Sequence, residues 1–389
     1  MASTTFTGWT IGAALAALTV PASPSVTYAA GAPRIVVVRA DSAGSANGAD
    51  SGGQNGQGVE RDRARERDRD RDRDRDRDQN KDQNKDQNKN KNQNDDRASE
   101  QERITKRFKV GAGGSLLLTN ISGDIQVTGG TGSEIVIDAV KHARSRGGDD
   151  GRQQLLNLDV AIQETAGRVE VRTYHRGKND RSWVDYVVTV PAGARVDVQS
   201  VSGEVQVSRV QGETRAESIS GNVTGTALGR VTQVKSVSGD VEITNSQSDS
   251  ELTISTVSGN IRGAALKARS ILLSTISGDG LLRGCECARA QLKSVSGTLE
   301  YSGPLAQGGR YEANVHSGDI RFLPSGSVGY ELEASTFSGD IRTEGPMKVT
   351  SMSRNRGPGR SVHGVAGNGG AFIDLTSFSG DIVVGVGGK

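Results

Sequence analysis

The sequence predicts an all-β chain, most of it a parallel β-solenoid with coils of about 19 residues. Three observations carry this. First, one phrase, [Ser/Thr]-[Ile/Val/Phe]-Ser-Gly-[Asp/Asn]-[Ile/Val], recurs with small variations ten times after residue 105. Second, its glycines are regularly spaced: Gly123, Gly203, Gly221, Gly239, Gly259, Gly278, Gly297, Gly318, Gly339 and Gly380. From Gly203 to Gly339 the spacing is nearly constant, the signature of a stacked array. Third, each period holds two short β-branched runs around a turn, as in Val231–Val237 followed by Val241-Glu-Ile. Such runs are too short for ordinary helices and rich in Val, Ile and Thr.

Within a coil each position has an expected task. The repeat glycine sits where the chain turns between two strands and a positive φ is often required. The serine before it is expected to form a hydroxyl ladder or to bond the turn backbone. Ten serines in one slot argue against any one being a nucleophile. The Ile and Val before and after Ser-Gly are expected to form interior columns, stacked about 4.8 Å apart. The residue after glycine forms a further column: Asp124, Glu204, Asn222, Asp240, Asn260, Asp279, Thr298, Asp319, Asp340 and Asp381. From 204 to 319 charged and neutral residues alternate in sequence order, which roughly halves the repulsion between like charges. Asp319 and Asp340, adjacent in that order, are the weak candidates for a Ca²⁺ site; the glycine-rich calcium-binding nonapeptide is absent. The last gap, from Gly339 to Gly380, reads as two periods with one degenerate rung.

The chain ahead of the repeats divides by composition. Residues 1–30 resemble a secretory signal peptide, with the apolar run IGAALAALTV at 11–20 and small residues after it, although no Lys or Arg precedes Arg34. Residues 31–104 form a linker of Gly/Ser/Asn, then Arg/Asp, then Gln/Asn/Lys tracts. Between 60 and 100 it carries 14 basic and 14 acidic side chains. With no apolar surface to bury, its ordering entropy is not offset and disorder is expected. Residues 105–200 alternate as strands around 134–140, 169–174 and 183–190, with 142–155 as a loop or short helix. This region is expected to be either a cap or a wider start to the solenoid of 201–389; a cap is needed physically, because a bare end coil exposes strand edges.

Composition agrees with this division. Of 52 glycines, 43 lie in 105–389. Aromatics are 4% and the formal net charge is +2, which points to no strongly acidic or basic partner. No apolar stretch is long enough for a membrane helix. Chemistry-bearing motifs are scarce. His142, His175, His316 and His363 lack metal-ligand spacing, and His316 takes an apolar slot where its ring is expected to pack at a coil corner. Cys285-Glu-Cys287 is compatible with a strained disulfide or with two packed thiols. The basic, glycine-rich 348–363 stretch reads as a solvated loop.

The ten copies of the phrase resemble the bacterial putative-adhesin family, a domain of unknown function, over 105–389. The resemblance implies a β-solenoid of the bacterial envelope or exterior, with no catalytic residues to carry over. The expected function is therefore a non-enzymatic, exported, envelope-associated binding, adhesin-like or scaffold protein with no cofactor. Its expected location is the periplasm, cell surface or extracellular space. Its partner would be an envelope polymer, a glycan or another envelope protein. The alternatives are a polysaccharide-active β-helix enzyme and an RNA-binding protein using the Arg-Asp run. Nucleic acid is disfavoured by that run's neutrality.

Overall fold

The computed structural model describes residues 34–37, 99–144, 150–177, 181–354 and 359–386. The signal-like segment and almost all of the linker lie outside the described residues. The described residues form a β-solenoid of two facing sheets, one of 15 strands and one of 13. Each regular coil contributes one strand to each. In one coil Arg230–Ser238 joins the long sheet, Ser-Gly-Asp turns the corner, and Val241–Thr244 joins the second sheet. Neighbouring coils pair in parallel and in register, as in Val205↔Val223, Val223↔Val241 and Val241↔Ile261.

Alternation along each strand sends one set of side chains inward. Val198, Ala216, Val234, Ile254, Leu273 and Leu292 in the long sheet face a space shared with Val205, Val223, Val241, Ile261 and Leu299 of the other, all buried in one continuous core. Each fully buried Val, Leu or Ile contributes about 1.5–3 kcal/mol, and it does so only when the next coil covers it.

The repeat glycine is required twice over at its corner. At Gly239 φ is +158°, and an added Cβ would overlap the carbonyl oxygen of Gly221 one coil away. The other repeat glycines have φ between +108° and +158°, and those from Gly203 on lie against the carbonyl of a neighbouring repeat glycine. A second corner, not visible in the repeat phrase, closes each coil at Arg209, Ala227, Asn245, Ala265 and Gly284, with φ of 56°, 55°, 50°, 52° and 59°. Four of these five are not glycine, although the left-handed region disfavours a Cβ. Their N–H groups donate to the next coil, as Ala227 does to Thr244 O at 3.1 Å.

Chain order and spatial order diverge at both ends. At the start, Ser115–Ser122 lies between Arg168–His175 and Arg195–Ser202, and Ile125–Gly130 lies between Ser182–Pro191 and Val205–Ser208. At the finish, Gly370–Ser379 lies between Arg310–Ser317 and Gly329–Ser338, while Ile382–Val384 lies between Ile320–Ser325 and Ile341–Thr343. The final repeat thus occupies a slot between two earlier ones. The long gap from Gly339 to Gly380 is not a degenerate rung. Its residues include an antiparallel hairpin, Met347–Arg354 and Arg360–Ala366, that covers the end of the long sheet where a solvated loop was expected. At the other end the antiparallel strands Ser99–Lys109, Glu134–Arg144 and Leu158–Thr165 and the helix α1 (Asp150–Asn157) form the cap. The outermost antiparallel strands remove most of the parallel edge that would otherwise accept another chain.

The two corners predict opposite responses. Gly239→Ala should destabilise the fold by about 2–4 kcal/mol, through a left-handed Cβ and overlap with backbone that cannot move aside. Ala265→Gly should stabilise it by about 0.5–1 kcal/mol, since relief of strain exceeds the added chain entropy. Urea unfolding followed by circular dichroism reads both.

Candidate functional site

The residue three before each repeat glycine points inward, and before eight of the ten it is a buried Ser or Thr: Ser200, Ser218, Ser236, Thr256, Thr275, Ser294, Thr336 and Ser377, with Asn120 and Val315 in the other two places. Most of these hydroxyls donate to a neighbouring coil's repeat-glycine carbonyl, as Ser236 Oγ does to Gly221 O at 2.9 Å and Thr336 Oγ1 to Gly380 O at 3.0 Å. The expected hydroxyl ladder therefore exists, but two positions before the serine that adjoins glycine. Those adjoining serines are mostly exposed.

This fixes the next residue outward. The Ile, Val, His or Phe before Ser-Gly does not join the core as expected; strand alternation from the buried hydroxyl places it on the surface. Val201, Ile219, Ile276, Val295, Phe337 and Phe378 are 43–53% exposed. With Ile121, Val237, Val257 and His316 they form one column, because the flanking pairs Ser200↔Ser218, Ser220↔Ser238, Ser296↔Ser317 and Ser317↔Ser379 keep the register. Ten rungs at about 4.8 Å span about 43 Å. At the C-terminal end the column becomes aromatic. His316 stacks on Phe378 and Phe378 on Phe337, both with ring centroids 4.9 Å apart and tilts of 11° and 3°. His316 is thus an exposed stacking residue rather than a packed corner. Beside the three rings lies an open groove of about 710 Å³.

The column after glycine has a bonding role. The N–H of Asp240 donates to Asn222 Oδ1 (2.9 Å), that of Asn260 to Asp240 Oδ1 (2.8 Å) and that of Asp279 to Asn260 Oδ1 (3.0 Å). An Asp or Asn here ties its coil to the next through a backbone donor. Glu204 is too long for this and accepts from Gln206 Nε2 at 3.0 Å.

The interleaved last coil also separates the proposed calcium pair. Asp319 and Asp340 are not neighbours, because Asp381 stands between them. The N–H of Asp381 bonds Asp319 Oδ1 and that of Asp340 bonds Asp381 Oδ1, each at 2.9 Å. Arg342 Nη2 lies 3.9 Å from Asp340 and 3.7 Å from Asp381, and Arg360 pairs with Asp340. The charge a divalent ion would neutralise is met by guanidinium groups. Among the described residues no group of three or more His, Cys, Asp or Glu could hold a metal.

Cys285 and Cys287 are free thiols, both buried. Cys285 occupies a corner column with Val210, Leu228 and Leu266, where it acts as a small hydrophobe. Burial pushes the Cys285 thiol up to about 11; burial and then the neighbouring Cys285 push Cys287 up to about 12. On the outer face of the long sheet Glu312, Asp374 and Glu333 form an acidic row. Burial, then Glu333 and Glu312, raise the Asp374 carboxyl above its usual range. Sequence reasoning missed this row because its members are far apart along the chain and meet only through the interleaved coil.

A family model described as Toastrack DUF4097 matches residues 115–385. Two solved structures are similar to the chain. One, a putative cell adhesion protein from Clostridium sporogenes ATCC 15579, has 8% identity and a TM-score of 0.18, covering 74% of this chain and 99% of that one. The other, a putative adhesin from Bacteroides fragilis NCTC 9343, has 13% identity and a TM-score of 0.36, covering 73% and 97%. No curated protein matches the chain.

Asp240→Asn should change stability by less than about 0.5 kcal/mol, because the amide oxygen still accepts from Asn260. Asp240→Ala leaves that N–H without its partner and should cost about 1–2 kcal/mol in chemical denaturation. Both thiols should resist iodoacetamide in the folded protein at mildly alkaline pH and react fully in urea. Because their folded pKa values are raised, their contribution to stability is complete below the unfolded value of about 9 and is lost as pH climbs through 11 to 12. An alkaline unfolding titration checks the sign.

Proposed function

The chain belongs to the Toastrack DUF4097 family, and from that premise we propose that it is a non-catalytic, exported, envelope-associated binding module. The observation that carries this is the outward apolar column. Six of its ten members are large hydrophobic residues about half exposed, in one straight line across the long sheet. Scattered apolar residues on a surface need no explanation, but a contiguous stripe marks an interaction surface. The stripe is long and backed by paired backbone, so it suits a broad contact rather than a reaction centre. Export is supported by the signal-like composition of residues 1–30, and the partner class is an envelope polymer or protein. No helix among the described residues is long and apolar enough to cross a membrane.

A second reading, a polysaccharide-active enzyme, draws on the Glu312, Asp374 and Glu333 row, since paired carboxylates on adjacent strands suit glycoside cleavage. Reducing-end release from envelope polysaccharide, lost in Asp374→Asn, would establish it in place of the binding reading. The RNA-binding alternative rests on the Arg-Asp run, which lies outside the described residues.

Replacing Ile219 and Ile276 together by Ser should leave the circular dichroism spectrum unchanged, since both side chains face solvent. The same double variant should cosediment with purified cell envelopes at least about fivefold less than the parent chain, about 1 kcal/mol of lost contact. Equal cosedimentation would remove the apolar column from the contact surface.

A further inference from the structure

We propose that the groove beside His316, Phe378 and Phe337 binds a neutral polysaccharide strand. The inference rests on the binding-module reading and names its ligand class. Five residues from five adjacent strands form the groove's row: Lys293 pairs with Asn314, Asn314 with Thr376, Thr376 with Ser335, and Ser335 with Ser361. Four strand gaps at about 4.8 Å give a trough about 19 Å long, running across the strands. Its central members are hydroxyls and an amide, each able both to donate and to accept. Ser335 and Thr376 already stand 3.4 Å apart as one polar pair.

The two sides of this row differ in chemistry. One side is the ring stack. Phe378, in the middle, is covered on both faces and presents its edge, whose partial positive charge suits sugar oxygens, while one face each of His316 and Phe337 has no ring partner among the described residues and suits sugar C–H surface. The other side, two residues back along each strand, is the acidic row Glu312, Asp374 and Glu333. Glu312 already accepts from Arg310 and Gln291, which leaves Asp374 and Glu333 as the acceptors for hydroxyl donors. A sugar chain offers this combination: C–H surface toward the rings and hydroxyls toward the polar row and the carboxylates. Charge decides between ligand types. Among the described residues no carboxylate lines the groove itself, and its cations, Lys293 and Arg360, stand at opposite ends, with Arg360 committed to Asp340. An acidic polymer would lie alongside Asp374 and Glu333, Glu312 being paired with Arg310, and an acyl chain would bury hydroxyls without partners. An extended peptide would find no unpaired backbone here, because every strand under the row is bonded on both sides.

Isothermal titration with hexasaccharides of glucose, mannose and galactose tests this, with hexagalacturonate and an acidic hexapeptide as comparison ligands. The expected result is binding of at least one neutral hexasaccharide, weakened about tenfold by Phe378→Ala and about threefold by Thr376→Val, with the fold unchanged by circular dichroism. Binding of none of the three, tighter binding of hexagalacturonate or the peptide, or unchanged affinity in Phe378→Ala would overturn the inference. The Ile219 and Ile276 double variant separates the two levels. If it loses envelope cosedimentation while no hexasaccharide binds the parent chain, the glycan assignment falls and the binding-module reading stands. If it cosediments normally while a hexasaccharide binds at the rings, the aliphatic stretch of the column falls as the contact surface and its aromatic end, with the groove, remains.

Discussion

The fold depends on the contact between one repeat glycine and the carbonyl of the next. No side chain fits between them, so successive corners meet backbone to backbone. That contact sets the stacking distance, and in-register pairing transmits it along both sheets. The columns follow from it. Inward hydroxyls reach the glycine carbonyl, Asp and Asn side chains reach the following N–H, and the apolar residue between them is turned outward. The outer column is therefore a geometric consequence of the corner.

Much of this was legible in the sequence. The period, the glycine corners and the buried Ile or Val after the acidic position all follow from spacing and residue type. The facing of the residue before Ser-Gly was not legible from its chemistry. A column of β-branched and aromatic side chains half-buries itself by stacking, so Val237 looks like a core residue whichever way it points. The hydroxyl at Ser236 was the available signal, because a buried hydroxyl beside a carbonyl fixes the strand's phase. The second corner was hidden because Arg209, Ala227, Asn245 and Ala265 share no residue type despite sharing a left-handed conformation.

The order of coils was hidden for a different reason. Every repeat presents the same edges, so Gly318 can be followed in space by Gly339 or by Gly380 with equal local chemistry. What selects the observed order is the rest of the chain: residues between Gly339 and Gly380 form the covering hairpin, and the last coil must return beneath it. The same choice assembles the acidic row and the three-ring stack. Both features considered for ligand contact owe their composition to the interleaving.

That interleaving also bears on how such a chain changes length over generations. Because the first and last regular coils are each held one place in from their end, a change at either of them disturbs strand pairs on both of its sides. The coils between Gly221 and Gly297 are interchangeable neighbours of one another. Duplicating or deleting one of them alters the span of the sheets by a single rung and leaves both ends intact. The middle is thus where the pairing pattern accommodates a change in coil number, and the outward apolar stripe would lengthen or shorten in step.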